Sequence, residues 1–231
     1  MNDENFIIAS KKSWNKNLST TLQSLTKKKF KLISDSKDIN LNYLKKINPS
    51  YIFFPHWSDM IPEEIYTNFE CVIFHMTDLP FGRGGSPLQN LINHGIYKTK
   101  ISAIKCIKEV DAGPIYLKKS LDLNGSAQQI YEKASQVIES MIIDIVKNNP
   151  EPKLQVGEPS FFKRRTPEQS NLKNVNSIVQ AYDLIRSLDA DGYPKAFIKT
   201  NNMNFQFTKA KYKKNKLFAK VEIKFINKKE K

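Results

Sequence analysis

The chain has 231 residues, 40% of them hydrophobic and 11% aromatic, enough to bury a core without disulfides or a metal ion. No apolar run approaches the roughly 20 residues of a membrane span, and "MNDENFIIASKKSW" leads into a strand-like segment rather than a signal peptide, so a cytoplasmic protein without membrane insertion is expected. The formal charge of +14 points to anionic partners, whereas Cys71 and Cys106 in apolar segments read as buried free thiols, and with three scattered histidines they give no metal-ligand spacing.

In chain order, "ENFIIAS" reads as a strand, "NLSTTLQSLTKK" as a helix, "KFKLIS" as a strand, "INLNYLKKIN" as a helix and "YIFFPHW" as a strand. "PEEIYTNF" follows as a short helix and "CVIFHM" as a strand. Strands linked through helices predict an α/β fold: an open, mainly parallel sheet with helices on both faces and ligands at the carboxyl ends of the strands. Pro80, Gly82, Gly84, Gly85 and Pro87 then break the chain until "PLQNLINHG", a helix started by Pro87 and closed by Gly95. "KTKISAIKCIKEVD" and "GPIYLKKSLDL" read as two strands around a turn at "DAGP". "SAQQIYEKASQVIESMIIDIVKN" is a long amphipathic helix with Ser126 as its N-cap.

After Pro150 the composition shifts. "EPKLQVGEPSFFKRRTPEQSN" holds three prolines and reads as a surface linker, "VNSIVQAYDLIRSLD" as a helix, and the rest as two or three strands. The expected organisation is a main domain over 1–150, a linker over 151–170, and a small helix and β-sheet extension over 171–231. The last 23 residues carry ten Lys against two Glu, +8 of the total charge. That pattern suits either a solvated strand face with a frayed end or attraction of a phosphate-bearing partner.

Two segments carry candidate chemistry. "FHMTDLPFGRGGSPLQNLI" places His75 at a strand's carboxyl end before a glycine-rich turn, where an imidazole can serve as general base or oxyanion partner, or simply be a satisfied core histidine. Asp111 opens "DAGP" at the end of another apolar strand, where a carboxylate can orient that imidazole or merely make the turn. His94 fits the end of its helix, complementing the dipole.

"HMTDLPFGRGGSP" followed by "EVDAGPIYL", then "FKRRTPEQSNL" and "AYDLIRSLDADGYPKAF", resembles the folate-dependent, methionyl-tRNA formyltransferase-like family. That family carries His-x-Ser-Leu-Leu-Pro, Arg-Gly and Pro, Asp-x-Gly, Arg-Arg-x-Pro-Glu-Asp, and Ile-Arg-Ala-Leu leading to Pro-x-Ala-Phe. The resemblance runs from about Tyr51 to Phe197 and implies a Rossmann-like formyltransferase sheet. It implies transfer of a formyl group from N10-formyltetrahydrofolate to a primary amine, with His75 and Asp111 catalytic, Thr77 keeping a hydroxyl, and no metal. Where the family has an oxyanion-holding Asn, this chain has Ile73; His56 is the expected substitute, with Thr77 or a backbone N–H next. By the same analogy Met60, Ile61, Ile107, Glu109 and Val110 would lie against the folate, and Arg83, Gly84, Ser86 and Gln89 against the acceptor.

Some 60 residues after the linker are too few for a helix and a full C-terminal barrel. The expected acceptor is therefore a nucleotide-linked amino sugar, a UDP- or dTDP-4-amino-4,6-dideoxy sugar of a surface-polysaccharide pathway, with nucleic acid not expected as a partner. The alternatives are a methionyl-tRNA formyltransferase-like enzyme, or a noncatalytic RNA- or anion-binding relic of the fold. Exposed C-terminal strands also suit pairing into a homodimer.

Overall fold

Near-continuous apolar runs at Asn5–Ala9 (β1) and Cys71–His75 (β4) have the character of strands buried on both faces. The computed structural model, which describes residues 4–226, sets them in a sheet with Lys29–Ile33 (β2) and Pro49–Phe54 (β3), the chain passing between strands through Leu18–Thr26 (α1), Leu41–Ile47 (α2) and Glu63–Tyr66 (α3). β1 pairs in parallel with β2 and β3, and β3 with β4. After the two-residue strand Arg83–Gly84 (β5) and Pro87–Asn93 (α4), Lys98–Lys105 (β6) runs antiparallel to β4 with Ser102 opposite His75. Ile115–Asp122 (β7) completes the order β2-β1-β3-β4-β6-β7, so the sheet is mainly parallel as expected.

The chain divides into two compact units that do not follow chain order. The first comprises Met1–Gly84, Thr99–Leu121 and Glu132–Phe161; the second comprises Gly85–Lys98, Asp122–Tyr131 and Phe162–Lys231. In the first, Ile7, Ala9, Ile52, Phe54 and Cys71 on one face of the sheet cluster with Leu44 of α2 and Ile65 of α3. The Ile, Leu and Phe side chains among them each contribute about 1.5–3 kcal/mol on burial. Cys71 and Cys106 are both buried and free, and burial pushes both thiols up, Cys106 to about 11. Most of Ala127–Asn148 (α5) belongs to this unit.

The strand expected over "YIFFPHW" stops earlier, at Phe54. Pro55 has no N–H to donate to a neighbour, and His56 turns left-handed with φ 52°.

In the second unit, Ile178–Leu188 (α6) starts where the Ser177 side chain accepts from the Gln180 N–H. It lays Leu184, Ile185 and Leu188 on a three-stranded sheet of Ala196–Lys199 (β9), Met203–Lys213 (β10) and Lys216–Phe225 (β11), ordered β11-β10-β9. The chain returns to this unit for the last time at Phe161–Phe162 (β8). Arg186 is buried, paired with Asp183 at 2.7 Å and donating to the carbonyls of Leu123 and Gly125. The frayed end expected after the lysine-rich strands lies outside the described residues. Among the described residues, no helix is long and apolar enough to cross a membrane.

Candidate active site

β4 ends on His75, whose side chain is 7% exposed. Its Nδ1 lies 3.4 Å from Oδ1 of Asp111 and its Nε2 2.8 Å from the carbonyl oxygen of Gly82. Both ring nitrogens therefore face oxygen acceptors, so a proton on either one is met by a partner. At 3.4 Å the contact with Asp111 is an electrostatic pairing, longer than a tight hydrogen bond.

The Asp111 turn is held from several sides. Asp111 has φ 54°, and its Oδ2 accepts the Gly84 N–H at 2.8 Å. A Cβ at Gly113 would sit 1.8 Å from the Lys105 carbonyl oxygen, so only glycine fits there. Gln155 donates to the carbonyls of Asp111 (2.8 Å) and Gly113 (2.9 Å) and accepts from Arg83 Nε (3.2 Å) and Nη2 (2.7 Å). Arg83, expected at the acceptor, thus braces the Asp111 turn through Gln155.

The segment after His75 is tied down in the same way. Ser102 Oγ donates to the Thr77 carbonyl and accepts from the Leu79 N–H. The Gly82 N–H donates to Ser160 Oγ at 2.8 Å and the Arg83 N–H to the Ser160 carbonyl at 2.9 Å. Thr77 Oγ1 is buried and has no hydrogen-bond partner among the described residues. A hydroxyl in that state costs free energy unless a ligand satisfies it. Ile73 packs against the apolar cluster of the first unit and brings no polar group.

His56 is partly buried in the turn after β3, where Trp14 Nε1 donates to its Nδ1 at 3.1 Å. Burial first, and then the charge of Lys12, lower its pKa to about 3, so its ring is neutral at physiological pH. The remaining predicted residues fall in both units. Met60 (81% exposed) and Val110 (59%) present apolar surface, Glu109 is exposed, and Ile61 and Ile107 are partly buried, all in the first unit. Ser86 and Gln89 belong to the second unit. Ser86 Oγ accepts the Arg165 N–H there, and buried Gln89 donates to Tyr131 Oη and the Ser187 carbonyl. Gln89 is therefore a packing residue rather than one presented to an acceptor. His94 Nδ1 donates to the Asn90 carbonyl oxygen, 2.6 Å away, at the end of α4. No group of three or more His, Cys, Asp or Glu side chains that could hold a metal occurs among the described residues.

Gln155, Ser160, Trp14 and Asn15 were not signalled by the sequence reading. The first two sit in the proline-rich stretch that reads as a linker, where an isolated Gln or Ser looks like ordinary surface.

Residues 167–224 match the family described as methionyl-tRNA formyltransferase, C-terminal domain. The solved structure of methionyl-tRNA formyltransferase from Clostridium thermocellum is 47% identical, with a TM-score of 0.93, over 96% of this chain and 99% of that one. The chain belongs to the formyltransferase family. The methionyl-tRNA formyltransferase of Mycoplasma mycoides is 28% identical over 177 residues, 73% of this chain and 55% of that protein; the chain spans about half the length of the curated relatives it matches. A sugar N-formyltransferase from Shewanella sp. FDAARGOS_354 shares the fold at TM-score 0.66, covering 86% of this chain and 93% of that one, but only 16% identity.

This overturns the expected nucleotide-sugar acceptor and surface-polysaccharide role for this formyltransferase: the 47% relative carries a methionyl-tRNA name, and likeness at 16% shows fold alone. The length argument fails because that relative is spanned at 99% by a chain of this size. The exclusion of nucleic acid falls with it.

Proposed function

We propose that this formyltransferase moves a formyl group from N10-formyltetrahydrofolate to the amino group of methionyl-tRNA. The observation that carries the reading is the buried His75–Asp111 pair at the carboxyl edge of the sheet, in a chain 47% identical to a methionyl-tRNA formyltransferase. The co-substrate supplies an activated formyl carbon. A bond forms from the amine nitrogen to that carbon, the carbon–N10 bond breaks, the amine gives up a proton and N10 receives one. His75 moves the proton and Asp111 steadies the charge of its ring. The residues suit a folate: the buried, unpartnered Thr77 hydroxyl can meet a polar group, and Met60 and Val110 can lie against its apolar parts.

The C-terminal sheet supports an RNA partner. Register places Lys199 of β9, Lys211 and Lys213 of β10, and Lys216, Lys220 and Lys224 of β11 on one face, against the single carboxylate of Glu222. Phe197 and Phe218, the latter 57% exposed, lie between them on that face. Cationic side chains interleaved with aromatic rings neutralise phosphates and offer stacking surface. On this reading 1–150 carries the chemistry, 171–231 contributes partner contacts, and the protein works in the cytoplasm.

The test is tetrahydrofolate release from N10-formyltetrahydrofolate with purified protein and methionyl-tRNA. Release that depends on the charged tRNA is expected. Folate binding without release on adding methionyl-tRNA would overturn the acceptor assignment.

A further inference from the structure

α6 lays its apolar side on the sheet face that carries Leu217 and Ala219, opposite the face of Lys216 and Lys220. The first two turns of α6, the end of α4 and the chain from Arg165 to Asn176 line a cleft of about 390 Å³, and every lining residue belongs to the second unit. Small-molecule sites usually measure about 300–1,000 Å³. The cleft shares no residue with the His75–Asp111 pair or with the lysine face.

Three amides of this lining are oriented by the backbone. The Thr166 N–H donates to Gln169 Oε1 (2.9 Å), the Lys173 N–H to Asn171 Oδ1 (3.0 Å) and the Asn176 N–H to Gln180 Oε1 (2.8 Å). A backbone N–H can only donate, so each amide gives its oxygen to the chain and keeps its –NH₂ for a ligand. None of these –NH₂ groups has a hydrogen-bond partner among the described residues. Arg165 adds a positive charge. Its Nη2 donates to the Gln169 carbonyl at 2.6 Å, whereas its Nε is buried with no partner among the described residues, which costs free energy until a ligand relieves it. The carboxylate in the lining, Asp183, is already committed, Oδ1 to Arg186 Nε (2.7 Å) and Oδ2 to Tyr97 Oη (2.8 Å). The cleft therefore offers donors and one uncompensated guanidinium, beside apolar surface from Val175, Val179 and the Tyr97 ring. A guanidinium matches a phosphate, amide –NH₂ groups match the carbonyl oxygens of guanine or uracil, and apolar surface takes the face of a base. Adenine has an amino group in place of that oxygen, which three donors cannot satisfy.

We infer that this cleft binds a nucleotide, with its phosphate on Arg165 and a carbonyl-bearing base on the amides of Gln169, Asn171 and Gln180. A free nucleotide and a single unpaired residue of an RNA strand share this chemistry, and the experiment separates them.

The full chain is titrated calorimetrically with GMP, UMP, AMP and inorganic phosphate, and its binding of tRNA is followed with and without GMP. GMP and UMP are expected to bind about tenfold or more tightly than AMP or phosphate. Gln180→Glu and Asn171→Asp keep the oxygen that accepts the backbone N–H and exchange the donor for a charged oxygen, so the local turns are spared. Each should weaken GMP about 10- to 100-fold. GMP that displaces tRNA would identify a residue of the strand as the occupant; GMP bound alongside tRNA without displacing it would identify the free nucleotide. No heat from any nucleotide, with tRNA affinity the same in Gln180→Glu as in the unsubstituted protein, would overturn the proposal. Nucleotide binding that survives both substitutions would overturn it too. AMP or phosphate bound as tightly as GMP would overturn the base contacts. None of these readouts involves turnover, so a failure of formyl transfer to methionyl-tRNA would leave the cleft assignment standing.

Discussion

The carboxyl edge of the six-stranded sheet and the lysine face of the C-terminal hairpin use polar residues in opposite ways. At the sheet edge the polar groups are few, mostly enclosed, and fixed by one another: Asp111 is held by Gly84 and Gln155, and the chain after His75 by Ser102 and Ser160. On β10 and β11 the charges are many, exposed and only sparsely paired, as in the 3.1 Å contact of Lys224 with Glu222. The first arrangement creates a geometry, which a displacement of about 1 Å can ruin. The second creates a field, which weakens by increments as charges are removed.

Substitution at each place should expose that difference. The largest effect is expected from His75→Ala, which should cut kcat by about 10²–10⁴ while circular dichroism stays unchanged. Turnover within threefold of the unsubstituted protein would sink the assignment. Next comes Gln155→Ala, which frees the Asp111 turn and Arg83 together. It should lower stability by about 1–3 kcal/mol in urea titration and reduce kcat more than it raises KM. A pure KM effect would mean that Gln155 touches substrate instead of bracing the turn.

On the hairpin, changing Lys211, Lys220 and Lys224 together to Ala should raise KM for tRNA, leave kcat at saturation alone, and flatten the salt dependence of binding by about 2–3 in log–log slope. An unaltered slope would remove this face from the RNA interface.

The last effect concerns pH. The folded pKa of His56, about 3, lies below the unfolded value near 6.5, so the unfolded chain binds the proton more readily. Its contribution to stability is complete above about pH 6.5 and is lost as pH falls toward 3. His56→Gln should therefore flatten the acid limb of a stability–pH curve between those limits. An identical limb would show that His56 is not the group being titrated.

Much of the architecture was legible in the chain itself. The apolar runs of β1 and β4 and the helix over Ile178–Leu188 are local features, governed by the few residues around them, whereas the strand read through Pro55 ran past its end at Phe54. The ordered segments around His75 and Asp111 likewise brought together, before any coordinates, two side chains that stand 3.4 Å apart. What could not be read were the partners. Gln155 reaches Asp111 across 44 positions, Trp14 reaches His56 across 42, and Ser135 reaches Asn15 across 120. Lone polar residues at such separations leave no periodic or motif signal, because strand order and register choose their neighbours. The acceptor was misread for another reason: it was argued from the length of the C-terminal segment, and a methionyl-tRNA formyltransferase 47% identical to this chain is spanned by it at 99%. Nor does the tally of lysines say which of them share a face until the register of β9, β10 and β11 is known. Local sequence decides which backbone hydrogen bonds a segment can make; only the packed sheet decides which distant side chains complete them.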